Sequence, residues 1–272
     1  RGDAGSTPSD APANCLGTGA FSNVQPVSAV NGPGIQYGSF ISPDGLTLLF
    51  DQAFMSDERL FVATRPDRTS EFSAASLVPG LAPGGNDSDA SITADGLELF
   101  FDSDRGSSIC VWRATRSAVS DPFDPPVRQE QLCTTGQFAG PSISADGLTL
   151  VYNSSLDQVA EGELYLSVRS NRGVPFPPGT RLANLPSTIG YPFLSADRLR
   201  LWFEQEVGNG VQLASTVRIS PSDNFTSLMP VAELDDGNEN GDLSLTLDEA
   251  EVFFSSSRAG DYDIWHASRP CL

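Results

Sequence analysis

The residues best suited to chemistry are acidic and amide side chains gathered in two short segments, residues 84–91 and 237–244. Asp89 and Asp242 occupy equivalent places in these segments, separated by three intervals of 51 residues. The polar members of both segments are Asn86, Asp87, Asp89, Asn238, Glu239, Asn240 and Asp242. Oxygen ligands at such short spacing suit a hard cation, so Ca²⁺ held by Asp87, Asp89 and Asp242 is one hypothesis.

Two other interpretations of the same acids stay open. Glycoside hydrolysis needs two carboxyl groups about 5–9.5 Å apart, and Asp89, Asp242 and Glu239 are the candidates for that role. A calcium-dependent hydrolase or lactonase would combine the two chemistries. The third interpretation is structural: Asp and Asn favour tight turns and remain solvated there.

Aromatic and acidic residues are expected beside these segments. Aromatic faces with Asn and Asp partners grip sugars and apolar ligands, so Tyr37, Phe138 and Tyr191, with Phe54 and Tyr262, are candidate contacts. The predicted ligand-binding set is Tyr37, Asn86, Asp87, Asp89, Phe138, Tyr191, Glu239, Asn240 and Asp242. A further polar column at 51-residue spacing deepens the negative potential, and it comprises Asp51, Asp102, Asn153, Glu204 and Ser255.

Composition excludes several other classes of function. The chain has 272 residues with 16 Lys+Arg against 35 Asp+Glu, a net charge of −19, so it lacks the basic patches that nucleic acid requires. Its single histidine, His266, rules out a histidine-rich metal centre, and we expect it to be packed inside a blade. No apolar run approaches the ~18 residues of a membrane span.

The elements that position the acids repeat every 51 residues. A turn Asp recurs at Asp44, Asp95, Asp146, Asp197 and Asp248. Each turn precedes a strongly apolar strand, and these strands carry the aromatic column Phe50, Phe101, Tyr152, Phe203 and Phe254. Short apolar and aromatic runs broken by Gly, Pro and Asp are strands, and no segment has a helical period.

Four antiparallel strands per repeat of this length predict a β-propeller blade, and five repeats predict five blades in an all-β domain. The fifth repeat ends after its third strand. Phe225 begins the fourth strand of the fourth repeat, and Phe21 falls at the corresponding place of the fifth repeat when the chain is treated as a closed ring. The N-terminal strand should therefore complete the last blade and close the ring.

The cysteines fit the same arrangement. Adjacent antiparallel strands would bring Cys15 beside Cys271 and Cys110 beside Cys133, which predicts two disulfides. We expect residues 1–14 to be a disordered leader and residues 15–272 to be a single propeller. Disulfides and an acidic, Ser/Pro-rich leader favour an extracytoplasmic protein, whether secreted, periplasmic or surface-tethered, and the leader is compatible with a lipid anchor upstream.

The residues also resemble a known family. The segments FDSDRGSSICVWRATR (101–116) and FSSSRAGDYDIWHASR (254–269), each after an Asp turn and an apolar strand, are similar to the WD40-like repeat of TolB-type β-propellers. The likeness extends over residues 21–269 and is weakest in the fourth repeat, where Arg198 replaces the turn glycine. It implies an exported binding scaffold and transfers no catalytic residue.

The sequence therefore predicts a monomeric, non-catalytic propeller that binds a protein, a carbohydrate or a small molecule at one mouth of its channel. The alternative function is a carbohydrate-active enzyme, or a calcium-dependent hydrolase or lactonase, that uses the central carboxylates. A non-catalytic binding propeller requires no cofactor. If the protein does bind a cofactor, the acids would suit Ca²⁺.

Overall fold

The structure is a computed structural model that describes residues 16–54, 57–81, 84–106, 108–133, 137–155, 162–208 and 210–271. The predicted leader and Cys15 lie outside the described residues. The described residues include no helix that is long and apolar enough to cross a membrane.

Five four-stranded antiparallel sheets make up the described chain, as predicted. In chain order the strands are β1 (Ser22–Pro26), β2 (Ile35–Ile41), β3 (Thr47–Phe54), β4 (Asp57–Thr64), β5 (Ser76–Leu77), β6 (Asp87–Ile92), β7 (Glu98–Ser103), β8 (Cys110–Thr115), β9 (Val127–Arg128), β10 (Gln137–Ile143), β11 (Thr149–Ser155), β12 (Glu163–Val168), β13 (Thr180–Arg181), β14 (Ile189–Leu194), β15 (Arg200–Val207), β16 (Gly210–Val217), β17 (Thr226–Pro230), β18 (Asn240–Leu245), β19 (Glu251–Ser256) and β20 (Asp263–Ser268).

The sheets are the blades of a five-bladed propeller. Blades 1 to 4 are β2–β5, β6–β9, β10–β13 and β14–β17, and blade 5 is β18–β19–β20–β1. The first strand of each blade contacts the first strand of both neighbouring blades, so β2, β6, β10, β14 and β18 surround a central channel. The predicted architecture is confirmed.

The N-terminal strand closes the ring, as predicted. β1 pairs with β20, with Ser22 opposite Ser268 and Pro26 opposite Trp265. The Arg269 guanidinium lies 4.5 Å from the centre of the Phe21 ring. Phe21 thus takes the place that Phe72, Phe123, Phe176 and Phe225 take in the other blades, under the corresponding arginines.

The apolar core is divided into five clusters, one between each pair of neighbouring blades. Successive side chains of a strand point to opposite faces, so the second strand of a blade feeds two clusters. Phe100 belongs to the cluster shared with blade 3, and Phe101 to the cluster shared with blade 1. Burial on both faces explains why these strands are apolar throughout.

Each repeated turn is held by the same two side chains. The Asp44 carboxylate accepts hydrogen bonds from the Ser42 hydroxyl at 2.6 Å and from the Leu46 amide at 3.0 Å, and the other four turns repeat this arrangement. The arginine that follows the third strand donates from Nε to a turn carbonyl, as Arg65 does to Gly45 at 2.6 Å. The repeated spacing of these residues along the chain therefore has a structural cause.

One predicted disulfide is confirmed, because Cys110 and Cys133 are bonded with Cα atoms 5.8 Å apart. Cys271 is also disulfide-bonded, and it forms an antiparallel bridge with Gly17. Its predicted partner, Cys15, is outside the described residues, so that pairing stays a prediction.

Buried ion pairs join blades near the start of two second strands. Glu98 of β7 accepts from Arg169 at 2.6 Å and from Arg172 at 2.6 Å, both of blade 3, and from Arg113 of its own blade. Glu251 of β19 pairs in the same way with Arg65 of blade 1 at 2.5 Å. Burial alone would raise the pKa of Glu98, but its three arginine partners hold that pKa below the ordinary value.

Candidate functional site

A left-handed bulge interrupts the first strand of every blade at the same repeat position. The residues there have φ between 47° and 62°, and they are Gly38, Asp89, Gly140, Tyr191 and Asp242. The pairing with the second strand shifts register at each of these positions. Glycine, and to a lesser degree Asp, tolerates this conformation, whereas an aromatic residue there is an outlier. Blade 4, with Tyr191, is therefore the unusual blade.

The acidic column predicted from the sequence fastens blades together at these bulges. The Asp51 carboxylate of blade 1 accepts the Asp89 backbone amide of blade 2 at 3.1 Å. Asp102 accepts the Gly140 amide at 3.1 Å, and Glu204 accepts the Asp242 amide at 2.6 Å. Each carboxylate spans one junction between neighbouring blades.

The two remaining junctions differ. At the closure, Ser255 is too short to span the gap, and the Asp242 carboxylate accepts both the Gly38 amide at 2.9 Å and the Ser255 hydroxyl at 2.9 Å. Between blades 3 and 4 the acid is replaced by Asn153. Its Oδ1 atom is buried and has no hydrogen-bond partner among the described residues.

These residues surround a cavity of about 600 Å³ at one mouth of the channel. Its walls combine acids, amides, three tyrosines and aliphatic side chains. The described lining residues are Ile35, Tyr37, Glu58, Ser88, Asp89, Asp102, Ile109, Ala139, Asn153, Tyr191, Glu204, Val211, Asn240, Gly241, Asp242 and Tyr262. None of these is Lys, Arg or His, so the lining residues carry five acids and no basic group.

The buried carboxyl groups of the cavity lie close enough to influence each other, Asp89 with Asp102 and Asp242 with Glu204. Burial raises the pKa of Asp102 to about 7. Burial also raises the pKa of Asp89, reinforced by the charges of Asp102 and Asp51, and burial likewise raises that of Asp242.

The three tyrosines of the cavity are tied to acids by contact or by charge. Tyr37 lies beside Glu58, whose charge acts on its hydroxyl, and the Tyr262 hydroxyl donates to Glu239. Burial and the neighbouring acids raise the pKa of Tyr37, Tyr191 and Tyr262, so all three remain neutral phenols at any physiological pH.

The structure brings together part of the predicted ligand-binding set and separates the rest. Tyr37, Asp89, Tyr191, Asn240 and Asp242 line the cavity. The others do not.

Those other residues have identifiable partners. Asp87 is buried in an ion pair with Arg105, and Asn86 bonds the Asp104 side chain at 3.0 Å. Phe138 lies in the core cluster between blades 2 and 3, and Glu239 is at the rim, where it holds Tyr262.

The metal hypothesis meets a different arrangement from the one expected. Asp87 is only two residues from Asp89, but the left-handed bulge at Asp89 separates their side chains, and Asp87 pairs with Arg105. Within the described ranges, no three His, Cys, Asp or Glu side chains converge as metal ligands. The side chain of Phe54 lies outside the described residues. His266 is away from the cavity, in a groove between β1 and blade 1, and burial lowers its pKa.

Sequence reasoning missed the residues that begin the third strands. Glu58, Ile109, Val211 and Tyr262 recur at the repeat spacing and all line the cavity, yet only Tyr262 was named. The interval of 51 residues would have found them. These four residues are an acid, two aliphatic residues and a tyrosine, so the column has no recognisable motif.

No protein-family model matches this sequence, and no curated protein matches it either. Solved structures do share its fold. TolB from Acinetobacter baumannii superposes with a TM-score of 0.55 at 12% identity, over 89% of this chain and 56% of that one.

Glycosidases of the same architecture match along almost their whole length. The α-L-arabinofuranosidase PaAbf62A from Podospora anserina, in complex with cellotriose, gives a TM-score of 0.57 at 13% identity, covering 94% of each chain. The catalytic domain of the GH62 α-L-arabinofuranosidase from Coprinopsis cinerea gives 0.56 at 12% identity, covering 93% of this chain and 94% of that one. At such identities the likeness is one of fold: this chain shares the β-propeller fold of TolB and of the two arabinofuranosidases.

Proposed function

We propose that this chain is a non-catalytic binding module that takes its ligand in the channel-mouth cavity. The observation that carries the proposal is the double use of the acids. Asp102, Glu204 and Asp242 each hold a backbone amide of a neighbouring blade and also line a cavity of about 600 Å³. Cavities of about 300–1,000 Å³ with a few convergent polar groups are typical of small-molecule sites.

The geometry favours binding over glycoside hydrolysis. Inverting and retaining enzymes keep their two carboxyls about 5–9.5 Å apart. Here three of the five lining acids, Asp102, Glu204 and Asp242, are engaged by backbone amides of neighbouring blades, which leaves them less free to act as acid, base or nucleophile.

A carbohydrate-active enzyme is the second candidate. It is supported by the raised pKa of Asp102, which suits a general acid, and by the glycosidase neighbours in fold. In that case Asp89 and Asp242, on bulges of different blades, would be the facing carboxyls. Glu239, at the rim, would act only through Tyr262.

One experiment separates the two candidates. The purified chain is offered a panel of nitrophenyl glycosides and oligosaccharides, and both binding and product release are measured with the wild type and with Asp89→Asn. Binding without turnover supports the proposal. Turnover that is lost in Asp89→Asn overturns it in favour of the enzyme.

Two further proposals concern surroundings and ions. The Cys110–Cys133 disulfide supports an oxidising, extracytoplasmic compartment. Thiol labelling of the chain isolated from its source tests this, because a cytoplasmic protein would be labelled before reduction.

Ca²⁺ in the cavity would be held by Asp89 and Asp242, and a thermal shift with CaCl₂ that EDTA reverses would support it.

A further inference from the structure

We propose that the cavity binds an organic cation, a small ligand that bears a primary ammonium or guanidinium group on an apolar body. This inference rests on the proposed function, since it names the class of ligand for that same cavity. Three features of the described lining carry it: uncompensated charge, apolar and aromatic walls, and an unsatisfied acceptor.

The charge argument is a contrast within the molecule. Elsewhere, buried acids have basic partners: Glu98 has three arginines, and Asp87 has Arg105. The cavity acids Asp89, Asp102 and Asp242 have only backbone amides, hydroxyls and one another. Buried charges are normally paired, so the missing partner of this cluster is a cation that the chain does not itself supply along its described lining.

The walls argue for an organic cation rather than a bare metal ion. The cavity of about 600 Å³ is lined by three tyrosines and by Ile35, Ile109 and Val211. A metal ion would leave these apolar surfaces wet, whereas an ammonium group on a hydrocarbon body would cover them. Neutral tyrosines also attract cations at their ring faces.

The junction between blades 3 and 4 supplies an independent sign of a missing ligand. Asn153 lines the cavity, is 98% buried, and leaves its Oδ1 atom without a hydrogen-bond partner in the described structure. An unpartnered buried acceptor costs free energy unless a donor reaches it. Beside it, Tyr191 holds a left-handed φ of 48°, a conformation that proteins retain mainly at functional sites. An ammonium or guanidinium N–H is the donor that Asn153 lacks.

Binding would exchange protons for the cation. Burial raises the pKa of Asp89, Asp102 and Asp242, and an ammonium group beside these carboxyls would favour their ionised forms, so that protons leave to solvent. The ligand charge would then balance a carboxylate that is otherwise protonated. Affinity should therefore increase as the pH rises from 6 to 8, through the range in which Asp102 titrates.

The test uses the full chain and isothermal titration with two probes of equal shape, phenethylammonium chloride and uncharged 2-phenylethanol. We expect the ammonium probe to bind at least tenfold more tightly at pH 8, with proton release that shows in buffers of different ionisation enthalpy. Asp89→Asn keeps a residue that tolerates the left-handed bulge and should weaken binding at least tenfold. Asp121→Asn, which removes an exposed acid between β8 and β9, is the matched control and should bind as the wild type does.

The contrary results are distinct from failure of the proposed function. Equal affinity for both probes, or an Asp89→Asn variant that binds as well as the wild type, overturns the cationic ligand. Binding of CaCl₂ or of an oligosaccharide in the absence of any amine binding also overturns it, although the cavity would then still be a binding site. Circular dichroism of the two variants confirms that each remains folded.

Discussion

Glu98 and Asp102 lie four residues apart on the same strand, β7, and both are 4% exposed, yet their surroundings are opposite. Glu98, at the turn end of the strand, has three arginine partners and a pKa below its ordinary value. Asp102, at the channel mouth, has no arginine, and its pKa is raised to about 7. One acid is neutralised by the chain, and the other is left to protons or to a ligand.

The comparison shows that position in the blade decides what a buried acid does. At the turn end, Arg169 and Arg172 of the next blade reach Glu98. Both follow the third strand of that blade, which begins at the channel mouth and ends on the side of the turns. At the mouth the neighbours are other second strands and bulges, which offer amides and more acids. The first arrangement fastens two blades, and the second also surrounds an opening.

The largest expected effect on the free energy of unfolding comes from removing the charge of Glu98 from its ion pairs with arginine. Glu98→Gln leaves Arg169, whose side chain is 1% exposed, without its carboxylate. Removing one partner of a buried ion pair costs about 3–5 kcal/mol. Urea unfolding should show this loss. Glu130→Gln, which removes an exposed partner of Arg128, should cost less than about 1 kcal/mol. Equal losses would contradict the distinction.

The second effect is the pH dependence of stability. A carboxyl whose pKa is raised by folding holds its proton where the unfolded chain has released it, so the free energy of unfolding falls as the pH rises through that interval. For Asp102 the interval runs from its ordinary value near 3.8 to about 7. The melting temperature should be higher at pH 5 than at pH 8. A melting temperature that rises between pH 5 and pH 8 would show that the mouth acids are ionised.

A smaller effect of opposite sign is expected at the mouth itself. Asp102→Asn removes a desolvated charge and keeps an oxygen that accepts the Gly140 amide. At pH 8 the variant should be as stable as the wild type or more stable, by about 1 kcal/mol. Its melting temperature should also vary less with pH. Chemical denaturation at pH 5 and pH 8 checks both points, and a loss comparable with that of Glu98→Gln would refute them.

The smallest effect concerns the bulge of blade 4. Tyr191→Asn replaces a strained aromatic with a residue that tolerates a left-handed φ, and relief of strain of about 1–3 kcal/mol offsets lost packing. We expect the free energy of unfolding to change by less than about 1 kcal/mol. Tyr37→Asn, at a position outside the bulge, gains no such relief and should cost more. Equal losses in the two variants would remove the argument from strain.

The sequence predicted the fold well because every blade repeats the same requirements. The turn Asp, the aromatic column and the register of Phe21 all recur at one interval, so five weak signals reinforce one another. The site was predicted less well, since it is built where the blades differ. Asp87 and Asp89 look equivalent in the sequence, but the left-handed bulge at Asp89 separates the two carboxylates, so Asp87 pairs with Arg105 and Asp89 lines the cavity. Glu58 was missed because the residues at its repeat position, Ile109, Val211 and Tyr262, share no chemistry with it, and only the 51-residue interval marks the column.

The closure of the ring by β1 has a mechanical consequence. Ser22 at the start of β1 pairs with Ser268 at the end of β20, so the outer ends of the two strands leave from the same side of the sheet. A force that pulls these ends apart would break the hydrogen bonds between β1 and β20 one after another, instead of loading all of them at once. The seam would therefore open in steps under such a force rather than in a single event. The Gly17–Cys271 bridge stands at the point where such an opening would begin.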